Sequence, residues 1–186
     1  EMEKNESSPT ARKRLATKLS VRDIQLALYN SSQWNKRNYL FVPNVSWGLF
    51  DYELDLAIMS KDGYVTEIEI KRSWEDFLAD FKKKHTHNDE KVYYFYYCVP
   101  LSLASKVCDY IEQHFENDGE KPAVFYYTED GFIGRTNTGI AYRPGKHRKL
   151  FLEERYQLAR LGVFRFWESI ATVPSDSIAG PKKYQL

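Results

Sequence analysis

Two short segments carry an acid or a lysine at every second position: Asp51-Tyr52-Glu53-Leu54-Asp55-Leu56 and Glu67-Ile68-Glu69-Ile70-Lys71. In an extended chain alternate residues share a face, so Asp51, Glu53 and Asp55 lie on one side of their strand, and Glu67, Glu69 and Lys71 on one side of theirs. Such alternation also describes the solvated face of any half-buried hairpin. Here, however, the acids face a single cation, Lys71, and like charges opposite one another across strands are destabilising. A divalent cation relieves facing carboxylates, and magnesium takes oxygen ligands from one or two of them. Two carboxylates and a neighbouring lysine suit phosphodiester hydrolysis, which needs charge stabilisation at the phosphate and an activated water. Asp55 and Glu69 are then the metal ligands, with the backbone carbonyl of Ile70 as a further oxygen. Lys71 orients the water or stabilises developing charge.

The two strands must face each other for this to hold. Gly63 in Lys61-Asp62-Gly63 suits the left-handed position of a three-residue hairpin loop. Ser60 then pairs with Tyr64, which sets Asp55 opposite Glu69 and Glu53 opposite Lys71. Around this hairpin the pattern predicts a helix from Val21 to Ser32 capped by Ser20, a strand from Asn38 to Val45, and the hairpin strands Gly48 to Met59 and Tyr64 to Lys71. Ser73, with Asp76 three residues on, caps a helix whose Trp74, Phe77, Leu78 and Phe81 form an apolar face. Lys91 to Val99 is aromatic and branched enough for a central strand covered on both sides, its tyrosines packing in the core. A helix from Pro100 to Phe115, a strand from Ala123 to Tyr127, an irregular strand or hairpin from Gly131 to Tyr142 and a long helix from Leu152 to Ile170 complete the chain. The order indicates an α/β fold: a mixed sheet flanked by helices.

The 186 residues suit one domain, at 18–172, between a polar and basic segment 1–17 and a tail 173–186. A hydrophobic content of 42% and an aromatic content of 16% are those of a globular chain, and a net charge of +1 excludes a protein that coats nucleic acid by charge alone. No apolar run reaches membrane-spanning length and no signal-peptide core opens the chain, which points to a cytoplasmic protein with no membrane partner. Cys98 and Cys108 match no zinc spacing and read as buried thiols; His114 and His147 have no partner at ligand spacing.

Asp55 followed by Glu69-Ile70-Lys71 on the adjacent strand resembles the PD-(D/E)xK nuclease signature. The stretch Glu67 to Ser73, then Asp76 to Lys82, Tyr94-Phe95 and Val99-Pro100, resembles more narrowly the MmcB-like DNA-repair endonucleases. The resemblance covers residues 20 to 115. It implies a restriction-endonuclease-like core of order αβββαβαβ, and a Mg2+- or Mn2+-dependent endonuclease acting on DNA, with RNA not excluded. Leu54-Asp55 replaces the usual Pro-Asp. The glutamate that many members carry on the first helix is missing: that helix offers only Asp23, and Glu53 is the other substitute. The resemblance also sets Asp80 and Lys82 beside the cleft.

Two basic runs have two readings each. Lys82, Lys83 and Lys84 either complement a helix C-terminus, with Asp80 and Lys84 as an i,i+4 pair, or contact phosphate. Arg143, Lys146, Arg148 and Lys149 form either a solvated loop or a grip on the nucleic-acid backbone. The alternative to a nuclease is an inactive nuclease-fold module that binds nucleic acid or a protein partner. A homodimer is open; Leu158, Leu161, Phe164 and Trp167 read as core rather than interface.

Overall fold

The computed structural model describes residues 17–46, 48–82, 87, 89–115, 121–136 and 147–172. The segments 1–16 and 173–186, with Lys83, Lys84, Arg143 and Lys146, lie outside them.

Ser20 starts helix α1 (Val21–Asn30) through a capping box: its hydroxyl accepts from the Asp23 N–H at 3.1 Å, and the Asp23 carboxylate accepts from the Ser20 N–H at 2.8 Å. A 3-10 turn (Lys36–Asn38) leads into β1 (Tyr39–Val45), followed by β2 (Leu54–Ser60) and β3 (Val65–Ile70). Next come α2 (Trp74–Asp80), β4 (Val92–Pro100), α3 (Leu101–His114), β5 (Ala123–Tyr127), β6 (Ile133–Arg135) and α4 (Leu152–Ala171). The six strands form one mixed sheet in chain order. β1, β2 and β3 are antiparallel neighbours, β3, β4 and β5 run parallel, and β6 closes the far edge antiparallel. This is the expected α/β arrangement of a mixed sheet flanked by helices.

The hairpin loop fixes the register. Gly63 has φ of 91°, and the Ser60 N–H donates to the Tyr64 carbonyl at 2.9 Å. The ladder then runs from Met59–Val65 to Leu56–Ile68. The segment from Gly48 to Glu53 is not part of β2, contrary to the expected strand. Gly48 has φ of 70°, and the Asp51 N–H donates to the Asp89 carboxylate at 2.8 Å rather than to a neighbouring strand.

Helix α1 covers one face of the sheet, packing Ile24 and Leu28 on Leu56, Ile58, Ile68 and Ile70. The other face carries two apolar clusters. One joins α4, through Leu158 and Leu161, to Val42, Ala57 and Val65. The second joins α2 and α3, through Phe77, Leu103 and Val107, to Phe95, Tyr97, Val99 and Val124. Among the described residues no helix is long and apolar enough to cross a membrane.

Candidate active site

Between those two clusters the sheet presents charge. Glu67, Glu69 and Lys71 share one side of β3 and its extension, and their exposures are 0%, 5% and 3%. One rung beyond the Leu56–Ile68 pair, Asp55 stands opposite Glu69. Its Oδ2 accepts the Ile70 N–H at 2.8 Å, while its carbonyl accepts from Gln25 Nε2 of α1 at 2.8 Å. Both ends of the Asp55 residue are therefore fixed. The site lies at the C-terminal ends of the parallel strands β3 and β4, where open α/β sheets bind their ligands.

Lys71 Nζ lies 2.7 Å from Glu69 Oε1 and 2.8 Å from Asp80 Oδ1. Asp80 Oδ2 accepts from the Tyr97 hydroxyl at 2.9 Å and lies 2.7 Å from His87 Nε2. The other ring nitrogen of His87 is 2.6 Å from Glu67 Oε1, and Glu67 Oε2 accepts from the Tyr52 hydroxyl at 2.7 Å. His87 stacks on Phe95, ring centroids 4.7 Å apart. The result is one continuous buried network: Tyr52, Glu67, His87, Asp80, Lys71, Glu69.

The electrostatics follow from this packing. Burial first, and then the Asp55 charge, push the Glu69 carboxyl up to about 7, although Lys71 works against them. Burial alone would depress His87; its hydrogen bonds to Asp80 and Glu67 outweigh that and raise it to about 9. His87 is thus an imidazolium at neutral pH, with a carboxylate at each nitrogen. Burial and the Asp80 charge push the Tyr97 hydroxyl well above its ordinary value, so it stays a donor.

Ligand atoms of Glu67, Glu69 and His87 lie within 4.8 Å of one another. A metal-bound imidazole must be neutral, however, and both nitrogens of His87 are engaged by acids. Asp55 and Glu69 are two carboxylates on one rung that could hold a hard divalent cation, Glu69 being pushed into the neutral range by burial first and by the Asp55 charge second.

Several expected participants are placed elsewhere. Asp23 is exposed, its carboxylate spent on the Ser20 cap, and α1 lies on the opposite face of the sheet. Glu53 is exposed in the loop before β2, outside the paired residues of β2 and β3, and the amine of Lys71 is held by Glu69 and Asp80. Asp80 is 3% exposed and serves this network; Lys84, its expected i,i+4 partner, lies outside the described residues. Arg148 is paired with Glu90 at 2.8 Å and with Glu154 at 2.7 Å, beside the start of α4. Lys82 is exposed beyond α2, and Lys149 is exposed with its amine 4.9 Å from the Tyr64 ring centroid.

Sequence reasoning missed His87, Tyr97 and Tyr52. Tyr97 had a usable signal: in the parallel β3–β4 ladder it pairs with Glu69, and Phe95 pairs with Glu67. His87 had none, since it sits in a loop with φ of 50°.

No family model matches the chain, and no curated protein matches it. A solved structure of a protein of unknown function from Silicibacter pomeroyi superposes with a TM-score of 0.55 at 14% identity, over 89% of this chain and 99% of that one. At that identity the likeness is one of fold.

Proposed function

We propose that the chain is a metal-dependent nuclease of PD-(D/E)xK type that hydrolyses phosphodiester bonds in DNA with Mg2+ or Mn2+. The observation that supports this best is the grouping of half-buried Asp55 with buried Glu69 and Lys71 at one end of β2 and β3, joined to a further acid. Asp55 and Glu69 would hold the cation, with the Ile70 carbonyl available as an additional oxygen. When bound, the metal supplies charge stabilisation at the scissile phosphate and a more acidic water. Asp55 is held by the Ile70 N–H and its backbone by Gln25, so its carboxylate needs little rearrangement on binding. Burial and the Asp55 charge raise the Glu69 carboxyl to about 7, so it could give up its proton to a cation near neutral pH. Lys71 holds its ammonium beside the same carboxylates, bound by Glu69 and Asp80, where it would orient water and attract the phosphate. Cys98 and Cys108 form no disulfide, which goes with a cytoplasmic setting.

The test is manganese calorimetry combined with cleavage of plasmid, single-stranded and branched DNA, each with metal and with chelator. Binding of manganese and metal-dependent products are expected, and Lys71→Ala should abolish cleavage. Absence of metal binding would sink the enzymatic reading. A gel shift of DNA with no products would identify a binding module instead.

A further inference from the structure

Helix α4 packs on the sheet through only part of its circumference. Leu158 and Leu161 are buried, and a Cβ on Gly162 would lie 3.1 Å from Val42, so the helix backbone rests directly on β1. About a third of a turn round from that contact, Leu152, Tyr156, Ala159, Val163, Phe166 and Ile170 follow one another at spacings of four and three residues. That is the spacing of a heptad seam, and it runs the full length of a helix about 30 Å long. Every position in it is apolar, and Trp167 lies beside it. Leu152, Tyr156, Val163, Phe166 and Trp167 are 75%, 69%, 56%, 58% and 59% exposed. Phe166 also lines a groove of about 360 Å³ against α1, in which Leu26 and Tyr29 are exposed as well.

We propose that two copies of this chain associate through α4, seam against seam. An aromatic side chain can bury about 150–250 Å². Scaled by these exposures, the four most exposed seam residues and Trp167 offer on the order of 550 Å² per copy, near the upper limit of about 600 Å² for the largest apolar patch of a monomer. Together with the flanking groove this approaches the roughly 800 Å² that each partner contributes to a stable interface. A second copy is the occupant that fits the pattern, because a heptad seam is complementary to itself and a two-fold contact uses the same patch twice. The polar flank beside the seam carries both signs, Glu153 and Arg160, so it does not hold two helices apart. This inference is independent of what the carboxylate cluster does.

Sedimentation equilibrium of the full chain, from low micromolar to hundreds of micromolar, should give twice the chain mass of 21.9 kDa. Val163→Glu combined with Phe166→Glu should give a monomer with an unchanged far-UV spectrum, since both side chains are exposed. Tyr156→Lys, one turn from the helix start and away from the groove, serves the same purpose if the double variant fails to fold. Arg160→Glu, off the seam, should remain dimeric. A wild-type chain that stays monomeric throughout, or a folded seam variant that stays dimeric, would overturn the proposal.

Discussion

On β3 and the residue that follows it, Thr66, Ile68 and Ile70 face α1, while Glu67, Glu69 and Lys71 face the helices on the opposite side; all are buried. The first face does what a strand interior ordinarily does. Ile68 and Ile70 pack against Ile24 and Leu28, and each buried side chain of this kind is worth about 1.5–3 kcal/mol. The second face works against folding. Each buried ion loses several kcal/mol of hydration, which the network from Tyr52 to Glu69 offsets only through complete hydrogen bonding. One strand thus carries apolar packing on one side and a buried charge network on the other. Positions that folding alone would fill with valine or leucine hold charges, and that is the physical reason to look there for a reaction.

The comparison breaks most visibly at Glu69. Glu69→Gln keeps an oxygen for Lys71 but removes a charge that the folded protein disfavours. Manganese binding should disappear and cleavage fall by about 100-fold or more. Stability at pH 8 should nevertheless rise by about 1–2 kcal/mol, as denaturant titration would show. A loss of stability would mean that Glu69 serves the fold as a partner of Lys71.

Ile68→Ala is the complementary change on the other face. It should cost about 2–5 kcal/mol of stability, read as a fall in the denaturation midpoint, because the α1 contact leaves a cavity. Cleavage per folded molecule should stay unchanged. A reduced rate at full folding would show that α1 positions the site through Gln25 as well as sealing the core.

How far the sequence reveals this division depends on the range of the interaction. The i,i+2 alternation put Glu67, Glu69 and Lys71 together, and the Gly63 turn set Asp55 across from Glu69; both are local rules. The Ser20 and Ser73 caps are equally local, the latter with its hydroxyl accepting the Asp76 N–H at 3.1 Å. The limits of β2 were misjudged because Gly48 to Glu53 alternates like a strand, yet its hydrogen bonding goes to Asp89. For Asp80 the sequence leaves two readings, a surface helix acid or, by resemblance, a residue beside the cleft, since nothing near it in the chain shows that Lys71, His87 and Tyr97 converge on it. Phe164 and Trp167 share helical spacing with Leu158 and Leu161, but spacing does not reveal which side of α4 meets the sheet. Both are exposed.

A smaller effect should appear with pH. His87, lifted from 6.5 to about 9, binds a proton more tightly folded than unfolded. Its stabilising contribution is complete below about pH 6.5 and is lost as pH rises through about 9. Glu69 acts in a lower window, from 4.5 to about 7, where the folded protein retains a proton that the unfolded chain has released, so stability there also falls with rising pH. Thermal unfolding between pH 7 and 9.5 should therefore show a Tm declining by several degrees, and His87→Gln should flatten that slope. A slope unchanged in His87→Gln would remove the imidazolium from the account.

The smallest change tests the boundary between the two kinds of packing on the site's own face. Tyr97 lies in the apolar cluster through its ring, with centroids 5.1 Å from Phe77 and 4.9 Å from Phe95, while its hydroxyl donates to Asp80. Tyr97→Phe keeps the rings and removes one of the donors to Asp80, leaving Lys71 and His87 in place. The expected cost in a denaturant titration is about 0.5–1.5 kcal/mol, the net value of one hydrogen bond, with a modest fall in cleavage rate. A cost of about 3 kcal/mol or more would show that the network responds as a unit and contributes to folding. The charged side of β3 would then belong to the stability of the molecule as much as the isoleucines behind it.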